Sequence, residues 1–307
     1  MVGSVLITKQ SPRRRNRQVP ERSHPRGHRA GSQTPINAIY DSGTPLFTKA
    51  AIGSLVQKID EAGIRRVQTE PRSLKLSIAG IDGKMVDTSL QIGVKHPIPP
   101  HWPPPENGSV LMDAMLSIDF RPIDHLTSIA SVFVSDFDLR KAFLTMTVNV
   151  LAVPVLPDTG EVVPDAPIRP ASETRAVLQQ EKAKWDASAA CRELMAMLQA
   201  VADASRLPHV DKVVAFACYR PSVVERAERV VTEHALVLSI RDFFTRHSPM
   251  TTVRCYIQDP IYEDIDREVL EDLGMTVLDH PCGFLQVDDS TAVFFSGAWN
   301  SYTADRG

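Results

Sequence analysis

VRCYIQDPIYEDIDREVLEDLGMTVL, Val253 to Leu278, decides the fold. Val253, Cys255 and Ile257 alternate with Arg254, Tyr256 and Gln258, the period of a β-strand. Asp259 then offers a capping oxygen and Pro260 suits a first helical position, so a helix is predicted to open there. Ile265, Val269 and Leu270 keep helical spacing, Gly274 stops the helix, and Met275–Leu278 is a further short strand. Working outward, Val210–Ala217 is a continuous apolar run, as a strand buried on both faces requires. Ser222 and Glu225 form a capping box, and Val223, Ala227, Val230, His234, Ala235 and Leu238 carry a helix to about Phe244. Asp288-Asp289-Ser290 turns into a last strand, Thr291–Phe295. Strands alternating with helices of this length predict an α/β fold: a mainly parallel, Rossmann-like sheet with helices on both faces. Only GAWNSYTADRG follows the last strand, so thin cover is expected on one sheet face.

Upstream, Ser172–Ser205 reads as one or two helices capped by Ser172, with Val177, Trp185, Ala189, Leu194, Leu198 and Val201 on an apolar stripe. Pro164, Pro167 and Pro170 mark a linker, and the boundary between residues 37–164 and 165–307 is set there. The first of these regions is a smaller α+β unit. Thr48–Ala62 has helical spacing, Leu74–Ile78 and Met85–Ile92 form a hairpin through Asp82-Gly83, and Ala142–Val153 alternates as a strand with one wet side. HPIPPHWPPP, residues 96–105, is an extended loop, read as a stiff connector or a docking peptide.

Residues 1–36 are polar and basic, and are read as a disordered tail. Residues 1–34 hold eight basic side chains against Glu21 alone, a net of +7, which leaves −10 for the rest of a chain whose net charge is −3. An acidic folded part argues against a broad nucleic-acid surface, so a nucleic-acid partner is expected only through the tail. The Arg13–Arg17 cluster is alternatively a nuclear import signal, a mitochondrial presequence or a solvated segment with no address. A cytoplasmic or nuclear location is expected, with mitochondria as the alternative.

The chain has 307 residues, 43% hydrophobic and 23% charged, which is ordinary for a soluble globular protein. No run reaches the roughly 18 apolar residues needed to cross a bilayer, so no membrane partner is expected. Cys191, Cys218, Cys255 and Cys282 are widely spaced, with no CxxC pair, and read as buried reduced thiols. GxSxG, HExxH, P-loop and GxGxxG motifs are absent.

HALVLSIRDFF (His234–Phe244), CYIQDPIYEDIDREVLEDLGMTVL (Cys255–Leu278) and GFLQVDDSTAVFFS (Gly283–Ser296) resemble the SRR-like domain family, named for "sensitivity to red light reduced". The closest pattern is the fungal branch, where Trp185 and PLFTKAAI (Pro45–Ile52) also match. The resemblance implies an α/β fold and links to circadian and light signalling and to control of heme biosynthesis, without catalytic residues to carry over. The family's first strand ends in a glycine-containing turn, whereas this one ends Phe216-Ala217-Cys218-Tyr219. The family also continues past Ser296 with an NxP-type segment and a helix, so the C-terminus reads as truncated.

Open α/β sheets bind ligands beyond the carboxyl ends of their strands. Those ends carry Cys218 and Tyr219, Gln258 and Asp259, Asp279 and His280, and Ser296. The expected ligand-binding set is Gln258, Asp259, Tyr262, His280, Asp288 and Ser290, with no metal and no named cofactor. Asp259 also reads as a helix cap, His234 as a satisfied core histidine, Cys218 as a nucleophile only if its pKa is lowered, and the Asp288-Asp289 pair as an acidic turn. Two functions fit: a non-catalytic regulatory or binding module for a protein or small-molecule partner, or a hydrolase or transferase acting on a phosphorylated or nucleotide-like ligand.

Overall fold

The computed structural model describes residues 4–7, 35–62, 70–97, 108–121, 123, 126, 141, 143–159, 161, 163, 167–204, 207–224, 227–248 and 252–296. In chain order the elements are β1 (Ser4–Ile7), α1 (Pro35–Asp41), α2 (Lys49–Glu61), β2 (Arg72–Ala79), β3 (Met85–Ile92), β4 (Val94–His96), β5 (Val110–Phe120), β6 (Met146–Val155), α3 (Ala171–Ala187), α4 (Ala189–Asp203), β7 (Lys212–Phe216), α5 (Ala227–His247), β8 (Arg254–Gln258), α6 (Asp264–Asp272), β9 (Thr276–Val277), α7 (Cys282–Gln286) and β10 (Thr291–Phe295). Contacts divide the chain into two units. One holds Met1–Lys9, Pro100–Val110 and Pro154–Gly307; the other holds Gln10–Pro99 and Leu111–Val153.

In the second unit, Thr48 caps α2 by accepting from Ala51 N at 3.1 Å, and the helix buries Ile52, Leu55 and Ile59. β2 and β3 pair antiparallel from Arg72↔Ile92 to Ala79↔Met85. Gly83 in their turn has φ +75°, a left-handed angle that favours glycine. β4, β5 and β6 form a separate sheet in that order. β6 starts at Met146, four residues later than the alternation suggested, and buries Met146 and Val148 while Asn149 is exposed. His96 closes β4; positions 98–105 of the proline run lie outside the described residues.

The first unit is built on a five-stranded sheet, ordered β1-β10-β7-β8-β9. β10, β7, β8 and β9 run parallel, and β1 joins β10 antiparallel. The chain is thus a mixed α/β protein with one largely parallel sheet in this unit and antiparallel sheets in the other. Val213, Ala215, Cys255, Ile257, Val277, Ala292 and Phe294 share a core with Leu236, Val237, Ile240, Phe243 and Phe244 of α5. α3 and α4 lie against α5, where Trp185 Nε1 donates to Ser239 Oγ at 3.1 Å. Alternation turns Phe216 to the other face, where it stacks on Phe284 of α7 at 4.6 Å. On that face Val214 and Phe216 are buried, while Phe295 is 41% exposed.

Three local readings need correction. Ser4–Ile7 is a strand inside the stretch read as an unstructured tail; its hydrogen bonds to β10 supply what its short apolar run lacks alone. Residues 8–34, with the arginine cluster, lie outside the described residues. Pro170, not Ser172, stands at the N-cap of α3, while Ser188 separates the two helices and caps α4 by accepting from Cys191 N at 3.0 Å. Val223 and Val224, just after Ser222, are not helical, and α5 is described from Ala227; the Ser222 N–H donates to Asp266, and Glu225 lies outside the described residues.

Candidate functional site

The loop after β7 is the first part of the carboxyl-end edge. Ala217 (φ 57°) and Tyr219 (φ 62°) both adopt left-handed backbone angles without being glycine. Such angles cost a non-glycine residue roughly 1–2 kcal/mol. The turn thus adopts angles that favour glycine without holding one. Neighbouring segments of the chain impose it. Ala217 N donates to Gln258 O at 3.1 Å, Tyr219 N to Asp259 Oδ2 at 2.9 Å, and Ser296 N to Phe216 O at 3.1 Å. Ala217→Val should destabilise by about 2 kcal/mol or more, because a β-branched residue resists this angle, while Ala217→Gly should stay within about 1 kcal/mol of wild type. Urea midpoints of the two variants check this, and equal losses would contradict it.

Asp259 is 5% exposed. Its other oxygen accepts from Ile261 N at 3.2 Å, closing a turn. It is not the N-cap of the following helix: α6 starts at Asp264, with Glu263 and Asp266 in a reciprocal capping box. Burial pushes the Asp259 carboxyl up to about 6, against the pull of its two backbone bonds. Gln258, also buried, accepts from Gly283 N at 2.6 Å and presents Nε2 to His280 Nδ1 at 3.0 Å. The fold thus gathers Gln258, Asp259 and His280 near one another through β8 and its flanks.

Tyr262 sits below this edge, and its hydroxyl meets His234 Nε2 at 3.1 Å. His234 Nδ1 faces Val230 O at 2.7 Å, so the imidazole is satisfied on both sides, as expected of a core histidine. Burial lowers its pKa to about 4. Asp288 and Ser290 are not part of this group. They precede β10 and so lie at the amino ends of the parallel strands, where Asp288 takes Lys212 Nζ at 2.7 Å and Ser290 Oγ donates to Asp211 at 2.9 Å. The Lys212 bond holds Asp288 well below the usual carboxylate range.

Cys218 is fully buried, and burial with nearby Glu233 and Asp259 pushes its thiol well above the ordinary range. That is the opposite of a nucleophile's environment. Arg220 does not lower it. The guanidinium sits 2.9 Å from Glu263 and 3.4 Å from Asp266 Oδ2, while Asp266 also accepts from Ser222 N at 3.0 Å and Glu263 N at 2.9 Å. This buried ion cluster was not read from the sequence, although Glu263 and Asp266 stand at capping-box spacing. The hydroxyls of Ser222 and Ser296 are buried without a hydrogen-bond partner among the described residues.

A cavity of about 430 Å³ lies elsewhere, at the amino-end side of β7, lined by Leu207, His209, Val210, Phe244, His247 and Ser248 among others. It contains none of the expected site residues. Among the described residues, no group of three or more His, Cys, Asp or Glu is arranged to hold a metal ion, and no helix is long and apolar enough to cross a membrane.

Residues 190–298 match the family model described as the SRR1 domain, a span running from α4 through β10. No curated protein and no solved structure matches the chain.

Proposed function

We propose that the SRR1 domain of residues 190–298 is a non-catalytic regulatory module that binds a small molecule or a partner segment at the carboxyl ends of its parallel strands. One observation carries this reading: the polar side chains gathered there already hold the fold together. Asp259 accepts from two backbone amides, Gln258 bridges Gly283 and His280, and the Cys218 thiol is sealed from solvent. A general base or nucleophile needs a lone pair facing its substrate. The order β9-β8-β7-β10 corresponds to the first four strands, 3-2-1-4, of the dinucleotide-binding order, which supports a Rossmann-like layout with its switch point between β7 and β10. The family's association with light and circadian signalling and heme-biosynthesis control supports a regulatory role.

Thermal-shift titration of the full chain against nucleotides and heme tests the reading. The expected result is a concentration-dependent rise for a specific binder, worth about 2.7 kcal/mol at a hundred times its Kd, with no turnover. One observation favours an enzyme instead: a carboxyl held up to about 6 at Asp259 suits a general base near neutral pH, acting with Gln258 and His280 on a phosphorylated or nucleotide-like ligand. A turnover that survives repurification and vanishes in a folded Asp259→Asn variant would decide for that enzyme.

A further inference from the structure

The chain enters α3 through Pro167–Pro170, and this short lead-in lies against the segment that follows the β7 loop. Ile168 and Val223 form an antiparallel bridge. Around it, Arg169 N donates to Ser222 O at 2.8 Å and Val224 N to Pro167 O at 2.9 Å. The Arg169 side chain, 11% exposed, then closes over the bridge. Its Nη1 donates to Val223 O at 2.7 Å and its Nη2 to Val224 O at 3.1 Å. Residues 167–169 therefore satisfy backbone groups of residues 222–224 that a surface loop would leave to water.

α3 fastens this lead-in to the rest of the unit. Thr174, fully buried, donates from Oγ1 to Pro170 O at 3.0 Å. Leu178 packs with Val231 of α5 and Val269 of α6. Arg175 reaches two carboxylates of α6, Asp272 and Glu268. α6 in turn carries Asp266, whose carboxylate takes Ser222 N at 3.0 Å. One segment thus grips the loop after β7 from two sides, directly through residues 167–169 and, by way of α6, through α3. Loop and segment belong to the same unit, Pro154–Gly307, yet the segment stands ahead of the matched span, which begins at residue 190.

We infer that residues 167–178 form a strap, keyed by Arg169, that holds Tyr219–Val224 in the shape they present at the carboxyl-end edge. The strap makes that edge answer to the chain ahead of the matched span. Its bearing on ligand rests on the reading that the module binds at this edge. The left-handed angle at Tyr219 (φ 62°) is the point of leverage. Such an angle persists only where its surroundings over-determine it, and the strap is one of those restraints. With Arg169 withdrawn, residues 222–224 lift, and the Tyr219 N–H is drawn from Asp259 Oδ2, its acceptor at 2.9 Å.

Amide-resolved hydrogen exchange of the full chain, with no ligand added, tests the strap apart from the binding reading. In Arg169→Ala the Val224 amide, whose acceptor is Pro167 O, loses protection directly. The informative amides are those of Tyr219 and Ser222, whose acceptors, Asp259 and Asp266, lie outside the strap. Their protection is expected to fall by about tenfold or more, while β8 amides keep theirs. Glu173→Ala should leave all of these amides within about twofold of wild type, because the Glu173 side chain is 59% exposed and its ion pair with Arg169 is weak. Loss at Val224 alone, or an equal loss across β8, overturns the strap. If Arg169→Ala does not fold, Arg169→Lys, which keeps the charge but reaches one carbonyl at most, decides by the same amides.

Discussion

Asp266→Ala is expected to lower the unfolding free energy by about 3–5 kcal/mol, the usual cost of removing one partner from a buried ion pair. Asp266 is completely buried. Its carboxylate takes the N–H of Ser222, the N–H of Glu263 and the Arg220 guanidinium. The alanine leaves two backbone donors without their acceptor and a guanidinium 6% exposed facing a weaker site. Glu263 also touches Arg220, but its side chain is 41% exposed, and Glu263→Ala should cost under about 1 kcal/mol. Urea unfolding followed by circular dichroism separates the two. A loss below about 1 kcal/mol in Asp266→Ala would mean that this cluster does not support the β7 loop and α6.

The second large effect is a pair of opposite pH slopes. The Asp259 carboxyl is raised to about 6 from an ordinary 3.8, so the folded chain binds that proton more tightly than the unfolded one. Its contribution is complete below 3.8 and is lost as pH rises through about 6. The His234 ring is lowered to about 4 from 6.5. Its contribution is complete above 6.5 and is lost as pH falls through about 4. At 1.36 kcal/mol per pKa unit each is worth about 3 kcal/mol, and the two windows overlap. Between about pH 4 and 6 they largely cancel in the wild-type chain. Asp259→Asn should therefore become acid-labile, while His234→Gln should gain stability in acid. Urea midpoints at pH 4.5, 5.5, 6.5 and 7.5 read both slopes. Parallel profiles for the two variants would rule the pairing out.

The parallel sheet was legible because its strands are short and apolar enough to admit one reading. Val213, Ala215, Cys255 and Ile257 alternate or run together in the sequence and face α5 in the fold. The Asp82-Gly83 hairpin was equally clear, since a left-handed turn names its own residues. Other features were hidden for physical reasons. α7 is five residues long and holds Gly283, and its stability comes from Gln258 and Phe216 rather than from helical periodicity. Asp259-Pro260 has the chemistry of a helix start, but the carboxyl closes a turn on Ile261, and α6 waits for the Glu263–Asp266 box. Asp288 and Ser290 were placed with the site by residue type alone. Their position before a parallel strand consigns them to the opposite pole, a distinction that strand direction supplies and composition does not. Residues 217 and 219 hold their angles through bonds from β8 and its flank, which no local pattern records.

β9 bounds one side of the large sheet with only Thr276 and Val277 in register against β8. An incoming extended peptide would find barely one repeat of open amides and carbonyls on that flank. Brevity there, rather than a guard of charge, discourages molecules from zipping together side by side into fibres.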